Sequence, residues 1–176
     1  MKSLYLLCLV GTVAMASTTD LPDCAAGSCT ARCPVWGFRH WRRVGRSCFH
    51  YFNTAKSFIQ AELTCRAQRR SAHLASVHSR YEDRQIFLLI SRSNRRNPRT
   101  WLGGFRFPQS NKFMWIDGSN WTYENWTPGN PNNEYLEEHC TEMNWSQNEK
   151  WNDHDCNNLK PFVCRFPLRR AEENKE

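Results

Sequence analysis

Trp101-Leu102-Gly103-Gly104 is a short apolar run closed by two glycines, and the chain changes character on either side of it. The run reads as a buried strand. Before it, Asn97-Pro98 breaks a helix whose apolar face is Ile86, Leu89 and Ile90 and whose start carries the capping-box pair Ser79 and Glu82. Earlier still, Phe58, Ala61 and Cys65 recur at three- and four-residue spacing, which predicts a helix over 54–69 with Thr54 as N-cap and Cys65 facing inward. Trp36, Phe38, Trp41 and Cys48-Phe49-His50-Tyr51-Phe52 predict short strands rich in aromatics. After the glycines come about 35 residues rich in Asn, Gly and Pro, a length that in a compact domain is either functional or disordered. Strands are expected next at 140–145 and 161–165, and the charged residues from Arg169 onward are expected to fray.

The amino end begins Met1-Lys2-Ser3, continues through apolar Leu4 to Val10 and reaches Ala14-Met15-Ala16, the pattern of a secretory signal peptide cut after Ala16. Its apolar run falls short of the about 20 residues that span a bilayer, so no membrane insertion is expected and the product should be secreted and extracellular. Of nine cysteines, eight then remain: Cys24, Cys29, Cys33, Cys48, Cys65, Cys140, Cys156 and Cys164. An even number in an oxidising compartment points to disulfides. Eight tryptophans and ten phenylalanines supply one core, with no room for a second full domain. The expected organisation is a signal peptide over 1–16, a leader over 17–32, one domain over 33–166 and a charged tail over 167–176.

The formal charge is +7, and Arg66, Arg69, Arg70, Arg80, Arg84, Arg92, Arg95, Arg96 and Arg99 hold much of the excess. These arginines read either as a patch for anionic glycans or microbial surfaces, or as a solvated basic face, the commoner case. Nucleic acid is not an expected partner of a secreted chain without a nucleic-acid motif.

Taken in order, Cys33-Pro34, Cys48-Phe49-His50-Tyr51-Phe52, Cys65, His73-Leu74-Ala75-Ser76-Val77-His78, Trp101-Leu102-Gly103-Gly104, Trp115-Ile116-Asp117-Gly118-Ser119, Trp126, Cys140, Trp151-Asn152-Asp153, Cys156 and Cys164 resemble the C-type lectin-like domain. The style is that of the small secreted lectins of fish, and the likeness covers residues 33–166. It implies an α+β fold of two helices and short antiparallel sheets, stapled by disulfides, with a long loop that binds calcium and sugar. It also implies the bonds Cys65–Cys164, Cys140–Cys156 and, in the long form, Cys33–Cys48. Cys24 and Cys29 are left either to pair together or to bridge two chains.

In sugar-binding members of that family, calcium is held by a Glu-Pro-Asn or Gln-Pro-Asp triplet, a Glu six residues later and the Asn-Asp of a Trp-Asn-Asp motif. The matching residues here are Asn130, Asn132, Glu138, Asn152 and Asp153, so the resemblance implies Ca2+ as cofactor and a cis Asn130–Pro131 bond. Carboxylate and amide oxygens are the hard ligands calcium takes, and the same groups can hydrogen-bond sugar hydroxyls. The departure is Asn130, which leaves two carboxylates where a mannose-type site has three and matches neither the mannose nor the galactose code. Tyr135 is a candidate to stack on a galactose-like ring, or an exposed loop aromatic only. Asn133 and His139 offer too little acid for a second calcium.

His139, Cys140, His154 and Cys156 outline a zinc set, but a disulfide is the better use of those cysteines outside the cell. No good Ser-His-Asp or Cys-His arrangement, phosphate loop or zinc-protease motif is legible, and an enzyme is not expected. Asn120, Asn125 and Asn144 each open a glycosylation sequon, the first two among core-motif aromatics. The expected function is calcium-dependent recognition of glycans on microbial or host surfaces in innate defence. Single sites of this kind are weak, so multivalency through a homo-oligomer or clustered targets is expected. Two other classes stand beside it: a calcium-independent binder of proteins or polyanions, and an ice-binding protein like the type II antifreeze proteins of this fold.

Overall fold

The computed structural model describes residues 23–25, 28–107 and 109–173, so the expected signal peptide lies outside it. A hairpin of β1 (Asp23–Ala25) and β2 (Ser28–Thr30) comes first and sets Cys24 opposite Cys29 in register. Their side chains, and any bond between them, lie outside the described residues. Next in the chain are β3 (Arg42–Val44), β4 (Ser47–Lys56), α1 (Phe58–Gln68), β5 (His73–Leu74), α2 (Arg80–Ser93), β6 (Thr100–Arg106) and β7 (Phe113–Trp115). β8 (Cys140–Met143), β9 (Trp151–His154), β10 (Lys160–Pro167) and α3 (Arg170–Glu173) complete it. One sheet runs β3-β4-β10-β6-β8-β9, with β5 beside β10 and β7 beside β6.

Alternation along the central strands sends side chains to two cores. Trp101, Phe162, Cys164 and Phe166 join Trp41, Ala61 and Cys65 on the α1 side. Leu102 and Val163 join Phe49, Ile86, Ile90, Trp115 and Trp151 on the α2 side. Burial on both faces is why β6 reads as an unbroken apolar run rather than an alternating one. At Gly103 an added Cβ would lie 2.5 Å from the Leu74 carbonyl oxygen of β5, and at Gly104 2.5 Å from the Thr141 hydroxyl of β8, so the two glycines are required by the close approach of both neighbours.

Disulfides join Cys33 to Cys48, Cys65 to Cys164 and Cys140 to Cys156. The α+β fold and the two helices stand as expected, with differences at the ends of elements. Thr54 is not a helix cap. It lies inside β4, which pairs with β10 as far as Lys56, and α1 is capped by Ser57 in a reciprocal box with Gln60. Strand pairing carried the chain past Thr54, a tertiary effect that local propensity does not contain. Trp36 is 93% exposed rather than part of a strand. Leu168 is buried and Glu172 of α3 pairs with Arg69 at 2.7 Å, so the tail packs on the domain through residue 172.

The arginine run is divided. Arg84 pairs with Glu149, Arg99 with Glu142 and Arg69 with Glu172, while Arg70, Arg80, Arg92, Arg95 and Arg96 stay exposed. Within the described residues no helix is long and apolar enough to cross a membrane.

Candidate functional site

The long loop between β7 and β8 is held at both ends. Trp121 stacks on Trp115 with ring centroids 4.2 Å apart, and Trp126 packs edge-on against Trp151. Thr127 N–H donates to the Trp151 carbonyl at 2.8 Å and Trp151 N–H donates to the Asn125 carbonyl at 2.9 Å. Beneath these contacts, the carboxylate of Asp83 in α2 accepts from Trp151 Nε1 at 2.9 Å, Asn125 Nδ2 at 2.6 Å and Tyr123 Oη at 3.1 Å. Helix α2 thus holds the loop's first half and the start of β9, the strand that presents Asn152 and Asp153.

The loop's second half turns at a cis Asn130–Pro131 bond. Asp153, wholly buried, accepts from Asn132 N–H at 3.0 Å and Asn133 N–H at 2.9 Å. Glu138 accepts from Glu134 N–H at 3.1 Å. Burial pushes the Glu138 carboxyl above its usual range; the Glu134 N–H opposes the rise and the charges of Asp153, Glu134 and Glu142 add to it. Asn133, Tyr135 and Leu136 all have positive φ, uncommon for non-glycine residues. Tyr135 and Leu136 are 85% and 79% exposed at its tip.

Four of the expected ligands, Asn130, Asn132, Glu138 and Asp153, thus belong to one hydrogen-bonded turn. Asn152 does not face it: its amide donates to the buried carboxylate of Glu142 at 3.0 Å, where Arg99 and Lys160 also converge. Asn133 brings an oxygen instead. Asn130 Oδ1 and Asn133 Oδ1 are both buried with no hydrogen-bond partner. A buried acceptor without a donor is destabilising and suits a cation. With Glu138 they make an all-oxygen set, which fits calcium in donor chemistry. Among the described residues no three His, Cys, Asp or Glu side chains converge, so a cation here would rest largely on amide oxygens.

Two groups were not legible in the sequence. Arg106, at the end of β6, donates through Nη2 to Asp153 at 2.6 Å. Ser76, His78, Asp117 and Ser119 also meet: Asp117 accepts from both hydroxyls, and His78 Nε2 lies 3.2 Å and 3.3 Å from Ser76 and Ser119. The carboxylate contacts the serines and not the histidine, and Arg165 donates to Ser76 at 2.6 Å, so the group ties β5 to the loop after β7 and lacks the order of a catalytic triad.

The sequence profile of the Lectin C-type domain matches residues 54–166. The chain belongs to the C-type lectin family. C-type lectin domains bind carbohydrates and are binding proteins rather than catalysts. This C-type lectin is 30% identical to a lectin of Pleurodeles waltl, over 92% of its own length and 91% of the relative's. It is likewise 30% identical to the galactose-specific lectin nattectin of Thalassophryne nattereri, with the same two coverages. Among solved structures, a herring type II antifreeze protein shares the fold at a TM-score of 0.66 and 27% identity, over 73% of this chain and 97% of that one.

Proposed function

We propose that this C-type lectin is a secreted protein that binds terminal sugars of surface glycans at the 130–138 turn with the help of calcium. The observation that carries the reading is the pair of buried, partnerless oxygens on Asn130 and Asn133, in the same turn as Glu138. Asn130, Asn132, Asn133, Glu138 and Asp153 would hold the ion, with Asn152 joining only if its amide leaves Glu142. Bound calcium supplies an electrophilic centre for two vicinal sugar hydroxyls. Glu138 would accept a hydrogen bond from a sugar hydroxyl, the amide groups of Asn130 and Asn132 would donate, and exposed Tyr135 would offer a ring face to the sugar. Likeness to a galactose-specific lectin supports galactose as the first sugar to try. The shallow turn buries little area, so clustered copies give useful avidity and suit a role in innate recognition of microbial or host surfaces.

The test is retention on galactose- and mannose-agarose in calcium, followed by elution with chelator. Retention reversed by chelator, and reduced about a hundredfold by Glu138→Ala, is the expected outcome. Retention that ignores chelator and yields to salt would move the chain to polyanion binding through its exposed arginines. The structural likeness to herring antifreeze protein favours ice as the second reading, and thermal hysteresis of the same preparation decides it.

The sequons separate on structure. Asn125 Nδ2 donates to Asp83 and its Oδ1 accepts from Lys150 at 2.7 Å. Asn144 is buried, donates to the Pro98 carbonyl at 3.2 Å and accepts from Glu149 N–H at 2.9 Å. Asn120 is exposed. One glycan is therefore expected, on Asn120. Glycosidase should shift the secreted protein by a single glycan mass, and Asn120→Gln should abolish the shift.

A further inference from the structure

The Asp153 carboxylate is already served by a cation of this chain. Arg106 reaches it from β6, with its side chain 8% exposed against 0% for Asp153. The guanidinium is held on every side: Nε points at the Glu138 carbonyl at 3.4 Å, Nη1 at Asn111 Oδ1 at 3.4 Å, and the plane lies 4.8 Å over the Phe113 ring. The Arg106 N–H is bonded to the His139 carbonyl at 2.7 Å, which ties β6 to the far end of the loop. Asp153 meanwhile collects the N–H groups of Asn132 and Asn133. A carboxylate this dry is strongly destabilising unless a charge partner faces it.

We infer that Arg106 is a built-in counter-cation of Asp153 that orients its carboxylate toward the N–H groups of residues 132 and 133, and so holds the turn in its ligand-facing shape without metal. Arg106 is a positioning residue, acting on the turn through Asp153. The inference deepens the glycan-binding reading and rests on it for the use of the turn. It also defines a regulation: a calcium ion using Asp153 competes with the guanidinium for Asp153 Oδ2, so the arginine sets how much calcium the site demands. A resident +1 charge a few ångströms from an incoming +2 ion disfavours that ion, and burial strengthens the effect.

The experiment compares the wild type with Arg106→Gln, which removes the charge, and Arg106→Lys, which retains it. In chelator, amide exchange at Asn132 and Asn133 should be slow in the wild type, faster by about tenfold or more in Arg106→Gln, and partly slowed again in Arg106→Lys. Exchange in β4 and β10 should not change, which separates a loosened turn from a loosened fold. By calorimetry, Arg106→Gln should bind calcium about tenfold more tightly than the wild type, the opposite of what a damaged site would do. Unchanged exchange at Asn132 and Asn133 in Arg106→Gln overturns the inference, as does calcium affinity equal to or weaker than the wild type's. If neither protein takes up calcium, the metal reading fails, and the exchange comparison alone decides the role of Arg106.

Discussion

Replacing Cys65 and Cys164 together with alanine is expected to lower stability by about 4 to 5 kcal/mol, the largest single effect in the molecule. The bond closes a sequence separation of 99 residues, against 15 for Cys33–Cys48 and 16 for Cys140–Cys156, for which about 3 kcal/mol each is expected. The long closure restrains most of the unfolded chain, and both sulfurs sit in the core between α1 and the central strand β10, so their removal also leaves a void. Urea unfolding of the three double-alanine variants at one pH should rank them in this order. Glycan retention should rank them differently: losing Cys140–Cys156 frees the end of β8 beside the turn and should weaken binding most per kcal/mol of stability lost. Equal losses from all three variants would contradict the chain-entropy account.

Asp83 carries the second large effect. Truncation to alanine leaves the donors of Trp151, Asn125 and Tyr123 without their acceptor, for an expected loss of about 3 kcal/mol. Burial pushes its carboxyl up to about 6, against the three hydrogen bonds that favour the charged form. The folded protein therefore holds the proton to higher pH than the unfolded chain, where the group titrates near 3.8. Its contribution to stability is full below pH 3.8 and lost as pH rises through about 6, at most about 3 kcal/mol. His50, pushed down to about 4 by burial first and by the charge of His40 second, acts in the opposite direction. Its contribution is present above 6.5 and lost as pH falls through about 4. Urea unfolding at pH 5, 6 and 7 should thus show Asp83→Asn without the wild-type gain on acidification. Parallel pH curves for the two proteins would remove Asp83 as the source. Because Trp151 precedes Asn152 and Asp153, Asp83→Ala should also weaken glycan retention.

The parts legible in the sequence are those written in local pattern or in covalent chemistry. Cys65 recurs with Phe58 and Ala61 at helical spacing, Ser79 and Glu82 mark the start of α2, and Trp101-Leu102-Gly103-Gly104 is apolar at every side chain because both faces of β6 are covered. The strands β7 and β9 were not legible: Phe113–Trp115 is three residues long, and Trp-Asn-Asp-His has no apolar alternation. Both exist because β6 and β8 were there to pair with. Ser57 is the better cap by residue type and has Gln60 three residues on, so the box was legible locally, and the β4–β10 ladder running to Lys56 excludes Thr54.

By itself, then, the sequence determined that the cysteines serve disulfides, their pairing being implied by the family resemblance, and it determined the two helices, the buried central strand and the oxygen-rich residues of the turn, since these are carried by neighbours along the chain or by residue chemistry alone. Tertiary structure alone decided that Arg106 meets Asp153 across 47 residues, that Asn152 faces Glu142, that Asn125 and Asn144 are locked while Asn120 is open, and which arginines are paired. These are contacts between groups far apart in the chain, and their burial and distance come from sheet packing, which no local pattern of residues encodes.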